Sequence, residues 1–159
     1  MTTSAHDPTD KPGVVVLPPV LYSVAFIVAF LLRWWMPLPI FGSAIAIWIG
    51  AASFVAGLAI GIPARRALSA AGTNVNPMQP TTAIVSAGPY GFTRNPLYVS
   101  MILLFLGVTT AFDTWWGPIV LLPVLPVMHF GVILREERYL ERKFGEAYRQ
   151  YRAKVRRYL

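Results

Sequence analysis

Charged residues are missing from five long stretches of this chain, and that feature constrains its fold more than any other. No Asp, Glu, Lys or Arg occurs in residues 12–32, 34–64, 67–93, 95–112 and 114–134. Charged residues make up 13% of the chain, against roughly 25% in a typical soluble globular protein. One domain of 159 residues has too little interior to bury five such stretches. The sequence therefore predicts an integral membrane protein and argues strongly against a cytosolic one.

The excess of basic residues does not indicate nucleic-acid binding in a chain of this kind. The net charge is +7 at pH 7, from 14 Lys and Arg against 7 Asp and Glu. Membrane proteins carry basic residues beside their spans because of the positive-inside bias. The chain has no Cys, which excludes disulfides, thiolate metal ligands and a cysteine nucleophile. We therefore expect no nucleic-acid partner and predict no metal site.

Four segments are candidate membrane spans, since a bilayer core of about 30 Å requires about 20 apolar residues in a helix. They cover residues 14–35, 41–62, 97–112 and 115–134. The second is rich in Gly, Ala and Ser near helical spacing, which favours close packing against another helix. The fourth contains three prolines and is expected to be kinked. Only residues 110–114 separate the last two spans, so we expect them to form an antiparallel hairpin.

Four spans place both chain termini on one side of the membrane. Of the 14 Lys and Arg residues, 13 lie on that side and Arg33 lies on the other. The positive-inside rule then predicts cytoplasmic termini. The membrane is expected to be a bacterial inner membrane. Residues 1–12 are polar and predicted to be disordered, and residues 13–159 form one predicted membrane domain. Within it, residues 135–159 have the spacing of a cytoplasmic amphipathic helix, with a bend expected at Gly145.

Polar residues concentrate between the second and third spans, in residues 71–98. This cytoplasmic loop carries no charge before Arg94 and is dense in Gly, Pro, Asn and Thr, which predicts ordered turns. Asn95 precedes Pro96, so Pro96 is expected to begin the third helix. Arg94 then lies just before a helix N-terminus, where an anionic ligand group is favoured. The alternative is that Arg94 only reaches lipid phosphates from a linker.

Two adjacent carboxylates, Glu136 and Glu137, follow the fourth span. Carboxylates at the end of a membrane helix are repelled by anionic lipid unless they are paired. Glu136 can pair locally with Arg135 or Arg94. Glu137 can pair with Arg138 or with a neighbour of Glu141. Alternatively, one of the two glutamates holds a cationic group of a ligand, and the residues alone leave both interpretations open.

Two further ionisable residues have simpler interpretations. His129 is well inside the fourth span, and ionisable residues in spans are functional candidates. A neutral imidazole bonded to a backbone carbonyl of a helix is nevertheless the favoured interpretation. Asp113, in the turn between the last two spans, is interpreted as a turn residue or a helix cap.

Two motifs in the second half of the chain resemble the isoprenylcysteine carboxyl methyltransferase family, to which phospholipid N-methyltransferases are similar in this region. They are GPYGFTRNPLYVSM, residues 88–101, and EERYLERKFGEAYRQYRAKVRR, residues 136–157. The resemblance implies an all-α integral membrane enzyme that uses S-adenosylmethionine and releases S-adenosylhomocysteine. One departure is Asn95, where eukaryotic members have His and bacterial relatives often have Asn. It leaves open whether a prenylcysteine is the substrate.

The resemblance also implies a cofactor site. The matching positions expected to bind the cofactor are Gly88, Tyr90, Arg94, Asn95, Pro96, Tyr98, Glu136, Glu137 and Tyr148. Arg94 suits the carboxylate of S-adenosylmethionine, and Glu136 or Glu137 suits its ammonium group or a ribose hydroxyl. Tyr90 and Tyr98 can stack on adenine or lie near the sulfonium. Arg94 and Glu137 are the predicted catalytic residues.

The expected reaction is methyl transfer to a lipophilic or lipid-modified acceptor, most consistent with a carboxylate, at the cytoplasmic face of the lipid bilayer. A carboxylate is already nucleophilic, so alignment in a dry site is sufficient without a metal or a base. An amine acceptor must lose a proton, for which Glu137 is the best-placed residue. Alternatives are a small multi-span transporter or assembly subunit, and a membrane reductase. A transporter normally keeps a carboxylate inside a span, and the predicted spans contain none.

Overall fold

The computed structural model describes residues 10–158, which fold into helices without any β-strand. The α-helices are α1 (Pro18–Trp35), α2 (Ser43–Ala70), α3 (Pro96–Ala111), α4 (Trp116–Met128), α5 (Leu134–Phe144) and α6 (Glu146–Lys154). A 3-10 turn, Gly88–Gly91, precedes α3. A π-helical stretch, His129–Ile133, joins α4 to α5. The all-α prediction is therefore confirmed.

Three helical segments of the described chain are long and apolar enough to cross a membrane. They are Pro18–Trp35, Ala44–Ala70 and Trp116–Phe144, the last of which runs through α4, the π-helical stretch and α5. α3 is also apolar but has 16 residues. At about 1.5 Å per residue it is about 24 Å long, which is less than a bilayer core of about 30 Å. The integral membrane fold is supported, whereas the count of four spans is not confirmed.

The helix bounds agree with the predicted spans at α3 and differ elsewhere. α1 begins at Pro18 rather than at residue 14, because a proline is favoured in the first turn of a helix. α2 does not end at residue 62 but continues through Pro63 to Ala70. The residues after Pro63 are mostly good helix formers, which favours this extension. Arg65 therefore lies on a helix and not in the loop.

α2 and α3 form the most extensive helix pair in the fold. A Cβ atom added at Gly50 would lie 2.4 Å from the backbone nitrogen of Ala111, and one added at Gly57 would lie 2.9 Å from the side chain of Leu104. The two helices therefore run antiparallel with their backbones in close approach. The predicted packing role of the small residues in the second span is confirmed.

Asp113 ties the turn between α3 and α4 to the start of α2. Its carboxylate accepts hydrogen bonds from the backbone N–H groups of Ile40, Phe41 and Gly42 at 2.9, 3.0 and 3.1 Å. These bonds, the one from Phe41 first, hold the pKa of the Asp113 carboxyl below its usual range. The predicted role as turn residue or cap is confirmed, and the segment it holds is the one that leads into α2. The predicted tight turn is present over residues 112–115.

The core lies where α1, α3 and α4 meet. Its most buried members include Tyr22, Ala29, Phe105, Leu121 and Met128. Large apolar side chains on the outer faces remain exposed, among them Ile27, Leu31, Ile47, Val55, Leu122 and Phe130. Apolar surface of this extent is expected where helices face lipid.

The amphipathic helix predicted over residues 135–159 is not found as one element. α5 continues the span that begins at Trp116. Gly145 ends α5 with φ +54°, in agreement with the bend expected at this residue. α6 then ends at Lys154, after which Val155 is extended and buried. Residues 155–158, which we call the C-terminal tail, fold back against the chain just before α3.

The disorder predicted for residues 1–12 falls mostly on residues 1–9, which lie outside the described residues. Asp10 is held against α5, because its carboxylate accepts hydrogen bonds from the Tyr139 hydroxyl and the Lys143 ammonium group. Pro12 is buried. The backbone N–H of Val15 then donates to the carbonyl of Gly131 at 3.0 Å, which fixes this segment beside the π-helical stretch.

Candidate active site

A cleft opens at the end of the molecule where α2 finishes and α3 begins. It encloses about 820 Å³, including its mouth, and is formed by the loop of residues 71–95, the first turn of α3, and α5 and α6. Its lining combines charged, polar, aromatic and apolar side chains, which suits a small-molecule ligand. We call this the cleft below.

Seven of the nine predicted cofactor-binding residues line the cleft. They are Tyr90, Arg94, Asn95, Tyr98, Glu136, Glu137 and Tyr148. The other two, Gly88 and Pro96, are not among its lining residues, and each shapes the backbone instead. Gly88 has φ +58°, which a residue without Cβ adopts readily and which starts the 3-10 turn. Pro96 is the first residue of α3, as predicted.

Glu137 lies between two arginines at one wall of the cleft. The Arg157 Nε and Nη2 atoms donate to its two carboxylate oxygens at 2.9 and 2.8 Å. The Arg94 Nη1 atom lies 3.3 Å from Oε1, and the two side chains of that pair are 9% and 8% exposed. The carboxylate is thus engaged at both oxygens by paired guanidinium donors. Pairing of Glu137 with Arg138, considered from the sequence, is wrong.

Arg94 keeps unused hydrogen-bonding capacity in this buried setting. Its Nε and Nη1 atoms are buried and have no hydrogen-bond partner among the described residues. The contact with Glu137 is close enough for charge attraction but does not supply an aligned hydrogen bond. An unsatisfied buried donor costs about 1–3 kcal/mol. A ligand that brings an acceptor group to Arg94 would recover this free energy.

Glu136 has a different partner from its neighbour. Its Oε2 atom accepts a hydrogen bond from the Tyr98 hydroxyl at 2.6 Å. Within the described chain it forms no salt bridge with Lys or Arg, so the predicted pairings of Glu136 with Arg135 or Arg94 are wrong. Glu136 therefore brings a carboxylate without a cationic partner to the cleft, 2.6 Å from a neutral tyrosine hydroxyl.

The aromatic residues of the cleft are linked to one another. The Tyr151 hydroxyl donates to the backbone carbonyl of Tyr90 at 2.8 Å, and the rings of Tyr148 and Tyr151 lie 6.2 Å apart. Burial raises the pKa of the Tyr90, Tyr148 and Tyr151 hydroxyls above their usual value. These hydroxyls stay protonated at neutral pH and act as neutral donors.

The C-terminal tail packs against residues 93–95, two of which line the cleft. The backbone N–H of Arg94 donates to the carbonyl of Arg156 at 2.8 Å. The Asn95 side-chain amide and the Thr93 hydroxyl both donate to the carbonyl of Arg157, at 2.9 and 3.1 Å. The amide nitrogen of Asn95 therefore holds the tail, although Asn95 was predicted to bind the cofactor.

His129 is also connected to the tail. Its Nδ1 atom lies 2.6 Å from the Tyr158 hydroxyl, so the favoured interpretation of a backbone carbonyl partner is wrong. His129 begins the π-helical stretch, a type of distortion that is frequent at functional sites. It is not among the residues that line the cleft.

Sequence reasoning missed the apolar side of the cleft and part of its loop. The missed residues are Leu68, Asn74, Val75, Asn76, Pro77, Thr81, Ala83, Ile84, Val85, Leu97, Leu140 and Tyr151. Leu140 and Tyr151 belong to the second motif and were available as a signal. The turn chemistry of residues 71–98 marked the loop as ordered, but nothing in it distinguishes residues that face a ligand from those that face solvent.

Comparison with known proteins gives two similarities. A family model described as phospholipid methyltransferase matches residues 45–147, which include most of α2, all of α3, α4 and α5, and most of the cleft. An uncharacterised protein of Haemophilus influenzae is 42% identical over 66 residues, which are 40% of this chain and all of that protein. No solved structure matches the chain significantly.

Proposed function

This chain belongs to the phospholipid methyltransferase family, and on that basis we propose that it transfers a methyl group from S-adenosylmethionine to a lipophilic acceptor at the cytoplasmic membrane face. The family implies a membrane methyltransferase, and the apolar outer surface of the helices agrees with that setting. The chief support for the cofactor is a pair of groups in the cleft. These are the Arg94 guanidinium, whose Nε and Nη1 atoms lack hydrogen-bond partners among the described residues, and the Glu136 carboxylate, which has no cationic partner there.

The groups present in the cleft fit the polar groups of S-adenosylmethionine. Arg94, through Nε and Nη1, is the proposed partner of the carboxylate. Glu136 is the proposed partner of the ammonium group. Tyr90 and Tyr98 offer ring faces for adenine or for the sulfonium. When bound, the cofactor supplies an electrophilic methyl group on a positively charged sulfur.

Glu137 acts in this proposal as a positioning residue. It was predicted to be catalytic, but both of its oxygens are engaged by Arg157 and Arg94. Its contribution is to hold the Arg94 guanidinium at the cleft wall. If the acceptor is an amine, Glu136 has the freer carboxylate and is the better candidate to receive the proton.

The acceptor is proposed to lie against the apolar side of the cleft. Val75, Ile84, Val85 and Leu97 line this side and offer no charge to a substrate. Such a surface favours a lipid chain and excludes water from the transfer. A carboxylate at the end of that chain is the acceptor we favour, because it is nucleophilic without deprotonation and the cleft residues then need only align it.

Transfer of labelled methyl groups tests this function. The purified protein would be incubated with labelled S-adenosylmethionine and either a lipid extract or a set of prenylated and fatty thiol acids, and the labelled product would be identified. We expect one lipophilic class to be labelled and Arg94→Ala to abolish labelling. Arg66→Ala is the matched control, since Arg66 is exposed on α2 and does not line the cleft.

The same assay separates the alternatives. A reductase would bind a nicotinamide cofactor and leave all lipids unlabelled. A proton-coupled transporter would show uptake in vesicles. Absence of labelling in every lipid class, with intact protein, would contradict the proposed function.

A further inference from the structure

A second concave site lies on the face of α5 that points away from the cleft. Its lining consists of Lys11, Pro12, Gly13, Arg135, Arg138 and Arg142. The three arginines follow one another at three- and four-residue intervals and so share one face of the helix. Glu136 and Glu137 lie on the other face, where they line the cleft.

The site is held in shape by hydrogen bonds to the backbone. The Arg135 Nη1 atom donates to the carbonyl of Gly13 at 2.9 Å, and the Arg138 Nε atom donates to the carbonyl of Leu134 at 3.1 Å. The segment that carries Lys11 is fixed on one side by the contact of Asp10 with α5. These contacts restrain the side chains of Arg135 and Arg138 and the backbone next to Lys11.

The four cations lack acidic partners. Among the described residues none of them forms an ion pair with a carboxylate, whereas Glu141 pairs with Arg152 at 3.0 Å and Glu137 pairs with Arg157. No acidic residue lines the site. Like charges held close together repel one another, and an anion placed between them removes that repulsion.

The position of the site indicates which anion is available. Arg135 is the first charged residue after the charge-free residues 114–134. A cation at that point of a spanning helix lies at the level of the lipid headgroups. We propose that this basic site binds the phosphate of an anionic lipid headgroup. The inference stands apart from the proposed function, since it concerns a different face of α5 and needs no cofactor.

Lipid selectivity of the purified full-length protein tests the proposal. The protein would be titrated in uncharged detergent with short-chain phosphatidylglycerol and with short-chain phosphatidylcholine, and bound lipid would be counted by native mass spectrometry. We expect a preference for phosphatidylglycerol that falls by about tenfold to thirtyfold in Arg138→Gln/Arg142→Gln. The control is Arg65→Gln/Arg66→Gln, which removes the same charge from exposed positions on α2.

The outcomes distinguish a specific lipid site on α5 from general attraction between the basic protein and anionic lipid. A larger loss in the α5 variant than in the α2 variant supports the proposal, and equal losses would show diffuse surface charge and overturn it. Glycerol phosphate supplies a phosphate without a lipid chain. Its competition at concentrations equal to those of the lipid would overturn lipid recognition. If the double variant does not fold, Lys11→Gln, which leaves α5 unchanged, is expected to lower the preference by about fivefold.

Discussion

At the scale of single residues, two neighbours in the sequence have different surroundings. Glu137 is bound by two guanidinium groups, while Glu136 is hydrogen-bonded to the Tyr98 hydroxyl. Glu137→Gln leaves the buried Arg94 without a charged partner, and we expect it to lower the free energy of unfolding by about 3 kcal/mol. Glu136→Gln keeps the hydrogen bond to Tyr98 and should leave this free energy nearly unchanged.

The affinity for S-adenosylmethionine should separate Glu136→Gln from Glu137→Gln in a different way from their stability. Removal of the Glu136 charge is expected to weaken S-adenosylmethionine binding by at least about tenfold, because a charged hydrogen bond contributes about 1.5–3 kcal/mol. Equilibrium unfolding and calorimetric binding, measured on both variants, check the pair of predictions. If Glu136→Gln unfolds as easily as Glu137→Gln and binds the cofactor as the parent does, the assignment of cofactor binding to Glu136 and of Arg94 positioning to Glu137 is wrong.

At the scale of elements, the close approach of α2 and α3 makes one glycine critical. A Cβ at Gly50 meets backbone atoms of α3 at 2.4 Å, so the helices must separate to admit it. We expect Gly50→Ala to destabilise the fold by about 1–3 kcal/mol. Gly131→Ala is the matched control, because its Cβ would meet the side chains of Val15 and Val127 at ordinary distances of 3.6 Å and 4.0 Å. Similar unfolding curves for both variants would contradict the close packing.

The elements also show what local sequence can predict. Pro96 and the adjacent turn residues fixed the start of α3 to within one residue, because helix starts depend on neighbours in the chain. The C-terminal tail escaped prediction, since the bond from Asn95 to Arg157 joins residues 62 positions apart. The pairing of Glu137 with Arg157 is likewise non-local. Motif positions thus indicated the cleft residues, while the partners that set their roles required the fold.

At the scale of the whole molecule, the two ends of the bundle differ in chemistry. The cleft and the basic site lie at one end, and Asp113 lies at the other, where it joins the turn between α3 and α4 to the start of α2. Arg33 is at this second end as well, since its Nε atom donates to the carbonyl of Phe112 at 2.9 Å. The predicted topology, with both termini on the cytoplasmic side, stays a prediction.

Acid is expected to remove the contribution of Asp113 to the stability of the fold. Its pKa is lower in the folded protein than in the unfolded chain, where it is about 3.9. Its contribution to stability is therefore present above about pH 4 and is lost as the pH falls through the lowered folded pKa. Asp113→Asn should have a lower Tm than the parent at pH 7 and a smaller drop in Tm on acidification. Parallel Tm curves between pH 6 and pH 2.5 would show that Asp113 does not couple to folding.

Calorimetric binding of S-adenosylmethionine to the purified protein tests the central claim most directly, since it needs no knowledge of the acceptor. The account predicts saturable binding by the parent, binding retained in Arg66→Ala, and a loss of at least about tenfold in Arg94→Ala, whose guanidinium is the proposed partner of the cofactor carboxylate. Folded parent protein that shows no saturable binding, or an Arg94→Ala variant that binds as the parent does, would contradict it.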